Sequence, residues 1–153
     1  MRRWRHAFVV LVLVSAAALG GRSLSHVILN DQLNTAARAG DLPSIQHLLR
    51  RGADVNGRSI HSKTPLMSAA EGGNGNVVLF LLAHGADVNA HNGSGSVLMW
   101  AVASGSAGVV RTLLFHGADV NWRSDLGDMA LQTAKEYKQP AIAKMLQLAG
   151  ARN

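Results

Sequence analysis

An all-α solenoid of four stacked helix-turn-helix units with projecting hairpin loops, preceded by an N-terminal signal-like helix, is the fold class this sequence predicts. Three observations carry the prediction. The pentapeptide Gly-Ala-Asp-Val-Asn begins at Gly52, Gly85 and Gly117, and a degraded copy begins at Gly150, which sets a period of 33, 32 and 33 residues. Within each period, apolar residues recur three to four apart in two runs, as on amphipathic helices. The chain opens on arginines followed by an uncharged apolar stretch. A period of this size marks a stacked array, because one unit cannot bury its own apolar face and must share a core with its neighbours.

The N-terminal segment comes first. Arg2, Arg3 and Arg5 precede an uncharged run from Ala7 to Leu19, and Gly20 and Gly21 follow. A basic start, a short apolar run and small residues after it read as a secretory signal peptide over residues 1–20, with Ala16 and Ala18 placed for cleavage after Ala18. The alternative is an uncleaved membrane anchor through residues 7–21, although a span needs about 20 apolar residues. Trp4, Arg5 and His6 follow the paired arginines where a twin-arginine signal wants an apolar residue, which favours ordinary export. The expected location is therefore exported, periplasmic or secreted. Residues 21–28 read as a short linker.

The array is expected over 29–153, in units 29–56, 57–89, 90–121 and 122–153. Aligning the pentapeptides brings Leu33, Leu66, Leu98 and Leu131 into one column and Ala36, Ala69, Ala101 and Ala134 into another. Ile45, Val78, Val110 and Ala143 align next, then Leu48, Leu81, Leu113 and Leu146, then Leu49, Leu82, Leu114 and the exception Gln147. The first helix of the second unit opens at Thr64-Pro65, a hydroxyl cap followed by a residue that needs no donor. Asp31 and Ser96 offer the same cap in the first and third units; Met129 does not. Each second helix ends at the pentapeptide glycine, which takes the left-handed conformation most cheaply. Val55, Val88 and Val120 then turn inward, and Asp and Asn bond nearby backbone in a tight turn. The deletion in the third unit falls in the loop between Asn89 and Ser96, where it leaves the stack undisturbed.

Thr64-Pro65-Leu66 with Ala69-Ala70 and Gly73, then Val77-Val78, Leu81-Leu82 and Gly85-Ala86-Asp87-Val88-Asn89, resembles an ankyrin repeat. The resemblance covers Leu29 to Asn153 as four repeats. It implies an ankyrin-repeat solenoid of antiparallel helix pairs with hairpin loops on one side, and a role in binding other proteins. The family usually has histidine where Met67 stands, so the bonding that histidine provides is in question here. Lys138 replaces the inter-helix glycine in the last unit, where Gln147 suits a terminal face in water. Exported bacterial ankyrin proteins that this chain resembles serve as accessory, protective or immunity-type proteins.

Composition narrows the function. The chain carries 15 Lys and Arg against 9 Asp and Glu, a net charge of +6, and loses three of those basic residues if the signal is removed. No basic run is longer than Arg50-Arg51, so the footprint of a nucleic-acid binder is missing. Cysteine is absent, which excludes disulfides, thiol catalysis and cysteine-bound zinc. His84 and His116 share a repeat position, but repeat spacing is too long for one ion to bridge, and a cation suits a helix C-terminus by itself. Gly72-Gly73-Asn74-Gly75-Asn76 has no preceding strand and no following Lys-Ser or Lys-Thr, so it reads as a mobile inter-helix loop rather than a phosphate cradle. Asp54, Asp87 and Asp119 are turn residues, and no nucleophile stands beside a base. Asn92-Gly93-Ser94 fits a glycosylation acceptor in a eukaryotic source. The expectation is a non-enzymatic monomer with no cofactor, no metal and no small-molecule substrate, touching membrane only if its N-terminal segment is retained.

What remains is a surface for a protein partner. In ankyrin repeats the loop tips and the exposed side of the first helix make contacts, and the matching positions here are Arg58, Ile60, His61 and Lys63, then His91 and Asn92, then Trp122, Arg123, Asp125 and Leu126. Trp122 stands where the family commonly has alanine. Tryptophan and arginine often carry interface energy, so Trp122 with Arg123 is the expected hot spot; the competing reading packs Trp122 over the neighbouring loop. Trp100 reads as packing between repeats. The alternative role is an accessory, protective or immunity-type protein that masks or stabilises one envelope enzyme or toxin.

Overall fold

A computed structural model describes residues 24–152. The signal segment expected at 1–20 lies outside the described residues. Those residues form helices α1 (Leu24–Ala39), α2 (Leu42–Arg50), α3 (Pro65–Glu71), α4 (Gly75–Ala83), α5 (Val97–Ala103), α6 (Ala107–Phe115), α7 (Ala130–Glu136) and α8 (Pro140–Leu148). They pair as α1–α2, α3–α4, α5–α6 and α7–α8, and each pair stacks on the next to make an all-helical solenoid. The loops between pairs project as three fingers, at residues 57–63, 90–95 and 122–128.

The core follows the aligned columns. Leu33, Leu66, Leu98 and Leu131 are buried on the first helices, and Leu48, Leu81, Leu113 and Leu146 on the second. Ala69, Ala70 and Ala101 are fully buried, and their small side chains let α1, α3, α5 and α7 approach closely. Leu49, Leu82 and Leu114 are partly buried where Gln147 is exposed, so the last pair turns a polar side chain outward. In that pair Ile142, one residue before the aligned column, takes the buried place and Ala143 is half-buried.

Capping follows local chemistry with two corrections. Thr64 Oγ1 accepts from the Met67 amide at 3.4 Å, and Ser96 Oγ from the Met99 amide at 3.3 Å. Met67 Sδ in turn accepts from the Thr64 amide at 3.5 Å, so a buried thioether, though a weak acceptor, closes the capping box at the position where the family has histidine. Asp31 does not cap a helix. α1 begins at Leu24, within the stretch expected as linker, and runs through Asp31, because no glycine or proline interrupts it and Leu29 and Leu33 bury one turn apart. The second correction concerns the run from Gly72 to Asn76, which is ordered. Asn74 donates its amide to the carbonyls of Ala37 and Arg38 in the preceding pair, at 3.1 and 2.7 Å, and α4 starts at Gly75. Asp41, unassigned in the sequence, caps α2 by accepting from the Ser44 amide and hydroxyl, which holds its carboxyl below the ordinary range. That contribution is present above the ordinary carboxylate pKa and is lost as pH falls through the lowered one.

The pentapeptide has two separate jobs. Gly52, Gly85, Gly117 and Gly150 take φ of 90°, 85°, 85° and 94°. The following Ala53, Ala86, Ala118 and Ala151 amides donate to Leu48, Leu81, Leu113 and Leu146, closing each second helix with a Schellman turn. Asp54, Asp87 and Asp119 accept locally, each from the amide two residues on, at 2.9 Å. The asparagines instead reach the next unit. Asn56 Oδ1 accepts from Asp87 N at 2.8 Å while its Nδ2 donates to Gly85 O at 3.1 Å, and Asn89 and Asn121 repeat both bonds one unit further on. Asn30 on α1 starts the ladder by accepting from Asp54 N at 3.0 Å.

Lys138 takes φ of 54° where Gly40, Gly73 and Gly105 take 79°, 69° and 72°. A side chain in this region costs about 1–2 kcal/mol. Lys138→Gly is therefore expected to raise the unfolding free energy by up to about 1 kcal/mol, after the larger chain entropy that glycine brings to the unfolded state. Chemical denaturation reads the sign directly.

Candidate functional site

The three fingers are closed by hydrogen bonds that fold each loop back on itself. Ser59 donates its amide to Lys63 O at 2.8 Å in the first finger, and Ser124 donates to Asp128 O at 2.9 Å in the third. The second finger is shorter, closed by Asn92 N to Gly95 O and by Gly95 N to Asn92 Oδ1, both at 3.2 Å.

The fingers are also tied to one another. Arg58 donates to Ser62 O at 2.8 Å and across to His91 O at 3.0 Å, linking the first finger to the second. The second and third join where the Asp125 amide donates to Gly93 O at 2.9 Å and where the His91 and Trp122 rings lie 5.0 Å apart. Lys63 is engaged underneath: its Nζ sits 2.8 Å from Glu71 and 3.5 Å from the centroid of the Trp100 ring. Arg38 joins Glu71 at 3.4 Å, so one carboxylate holds two cations from neighbouring pairs.

Of the ten residues nominated from the sequence, Arg58, His91 and Trp122 thus make contacts between fingers, Lys63 is held beneath them by Glu71 and Trp100, and the Asn92 side chain closes its own finger. Trp122 is half-buried against the core and over His91, the neighbouring-loop position. His61, Arg123 and Asp125 are exposed. Ile60 and Leu126 stand at the two outer finger tips, 70% and 90% exposed. Sequence reasoning missed Val27 and Ile28, which are partly exposed on the extended start of α1. Asp31, one turn further along that helix, accepts from the Ile60 amide at 3.5 Å, which brings these side chains toward the first finger. The signal for them was the absence of any breaker before Asp31.

Trp122→Ala removes one aromatic contact between fingers, a contact worth about 0.5–1.5 kcal/mol. The expected result is a loss of that order in urea denaturation, with the solenoid retained by circular dichroism.

Other groups are set apart from this surface. His84 and His116 each place Nδ1 2.8 Å from the carbonyl one turn back, on Phe80 and Thr112. Among the described residues no group of three or more His, Cys, Asp or Glu side chains could hold a metal ion. A groove of about 670 Å³ between α1 and α2 has Asp31, Asp41 and His47 on its wall, yet no hydrogen bond joins any two of them. No described helix is long and apolar enough to cross a membrane.

A family model for ankyrin repeats in three copies matches residues 33–124. The chain belongs to the ankyrin repeat family. Ankyrin repeats are protein–protein interaction modules. An ankyrin repeat protein of Fowlpox virus (strain NVSL) is 50% identical over 42 residues, covering 28% of this chain and 6% of the viral protein. The B-cell lymphoma 3 protein homolog of Mus musculus is 43% identical over 65 residues, 42% of this chain and 14% of the relative. The Arf-GAP with coiled-coil, ANK repeat and PH domain-containing protein 3 of Homo sapiens is 50% identical over 56 residues, 35% of this chain and 7% of the relative. The matched ankyrin stretches are thus a small part of much longer relatives.

Proposed function

We propose that this chain is a non-enzymatic binding module that docks one partner protein, as a monomer, across its finger tips and the adjoining exposed residues of the first helices, chiefly on α5 and α7. The observation that carries the reading is the exposure of Ile60 and Leu126, 70% and 90%, at the two ends of a finger row whose members are bonded together. A cross-linked row loses less conformational entropy on binding than three independent loops. The α7–α8 pair, beyond residues 33–124, is counted as a fourth repeat because Asn121 bonds Gly150 O and Arg152 N as Asn56 and Asn89 bond their neighbours.

The basic start and the apolar run from Ala7 to Leu19 support export, with the partner in the cell envelope or the exported space. An accessory or protective role, masking one envelope enzyme or toxin, would use the same surface. N-terminal sequencing of the purified protein tests export; a start at residue 1 in a soluble fraction would refute it. For the surface, affinity capture compares the wild type with an Ile60→Asp/Leu126→Asp variant and with Phe115→Asp, on the outer helix α6. Loss of one specific partner only in the finger variant supports the reading, and loss only with Phe115→Asp sinks it. The identity of that partner separates a scaffold from a masking protein.

A further inference from the structure

Three Asn-Gly pairs occur in the described chain, Asn56-Gly57, Asn74-Gly75 and Asn92-Gly93. In each, a glycine amide adjoins the carbon of a side-chain amide with no Cβ in the way, so the three are chemically alike. Their surroundings are not. Asn56 donates Nδ2 to Gly85 O at 3.1 Å and accepts from Asp87 N at 2.8 Å, while Gly57 N donates to Asp54 O at 2.8 Å. Asn74 donates Nδ2 to Ala37 O and Arg38 O at 3.1 and 2.7 Å, and Gly75 N donates to Gly73 O at 3.1 Å as α4 begins. In both pairs the attacking nitrogen and the leaving amide are already bonded.

Asn92-Gly93 differs at each of these points. Among the described residues, neither Gly93 N nor Asn92 Nδ2 donates a hydrogen bond. The one bond to the side chain comes from Gly95 N to Oδ1, 3.2 Å away. A donor there stabilises the negative charge that develops on that oxygen when the amide carbon is attacked.

We propose that Asn92 is the site at which this protein deamidates spontaneously, turning the middle finger tip from neutral to anionic. Gly93 N gives its proton to solvent as its electron pair forms a bond to Asn92 Cγ; the Cγ–Nδ2 bond then breaks and the nitrogen leaves as ammonia, taking up a proton. The cyclic imide that results is opened by water at either carbonyl, giving aspartate or isoaspartate. Water is the co-reactant, and nothing is oxidised or reduced. The product charge would sit beside Asp125, whose carboxylate lies against Gly93, and isoaspartate would lengthen the backbone between the Asn92–Gly95 and Gly93–Asp125 bonds. Like charges at this junction would loosen the second finger from the third. Any consequence for a partner rests on the docking reading above; the chemistry does not.

The full chain is aged at mildly alkaline pH and body temperature, natively and in urea, and digested for peptide mass mapping. Natively, the peptide holding Asn92 is expected to gain about 1 Da and split into aspartate and isoaspartate forms. Those holding Asn56 and Asn74 should react at least about tenfold more slowly, since bonds must first be broken to free them. In urea the three rates should converge, and Asn92→Gln should abolish the native reaction. The proposal fails if Asn56 or Asn74 keeps pace with Asn92 natively, if Asn92 stays intact while the urea sample reacts, or if the native ranking survives in urea.

Discussion

Leu113→Ala is expected to lower the unfolding free energy by about 2–5 kcal/mol, the range for truncating a buried leucine whose site cannot fully collapse. Leu113 is fully buried on α6, and its carbonyl also accepts from the Ala118 amide at 3.0 Å in the turn that ends the helix. The truncation therefore opens a cavity under the Schellman turn that positions Asn121 and the third finger. Each pair is stabilised by its neighbours, so weakening an inner pair either shifts the whole cooperative transition or splits it at that interface. Urea denaturation distinguishes these outcomes, because a split lowers the slope as well as the midpoint. A loss no larger than that of Trp122→Ala would mean that the column of leucines is not the core that holds the stack together.

Gly72→Ala is the second large effect, of about 1–3 kcal/mol, as expected for forcing extra volume into a packed contact. Gly72 has φ of −74°, so its backbone would accept any residue, and conformational freedom is not the reason for glycine here. A Cβ at this position would run into the carbonyl oxygen of Arg38 in the preceding pair and lie 2.5 Å from Asn74 Nδ2. Backbone cannot swing aside as a long side chain can. The first two pairs would have to separate, breaking the bonds from Asn74 to Ala37 and Arg38. Gly75→Ala serves as the control, since the nearest atom to its added methyl, on Val109, is 4.0 Å away. Equal effects from the two substitutions would show that the close approach at Gly72 has no energetic weight.

The candidate surface was legible in outline. The stretches after each pentapeptide, where the units stop agreeing, are the fingers. Which of their side chains are already engaged was not legible. Arg58 reaches His91 O, a residue 33 positions away, and Lys63 reaches the Trp100 ring; both require two units to be side by side. Trp122 meets His91 for the same reason. The nominated residues left at the outer tips, Ile60 and Leu126, are aliphatic, whereas the expected hot spot at Trp122 with Arg123 rested on residue type and on the alanine that the family commonly has at Trp122.

The sequence by itself determined most of what a few neighbouring residues decide, although the Asp41 cap of α2, local as it is, was missed. Thr64 and Ser96 each cap a helix by accepting from the amide three residues on, the pentapeptide glycines close turns on carbonyls within five residues, and Asp54, Asp87 and Asp119 bond the amide two residues on. Apolar spacing then dictated helix pairs, and the period dictated a stack. Only the tertiary structure decided what lies about one unit away in sequence. Asn56, Asn89 and Asn121 looked like local turn residues beside their aspartates, yet their side chains bond atoms 28 to 31 positions further along the chain. Asn30, outside any pentapeptide, starts the same ladder, and Gly72 is glycine because another unit's backbone lies against it. The distinction is physical: a bond within one turn is available to the chain as soon as that turn forms, whereas a bond to the next unit exists only once the two are docked, and a propensity read along the chain carries no record of it.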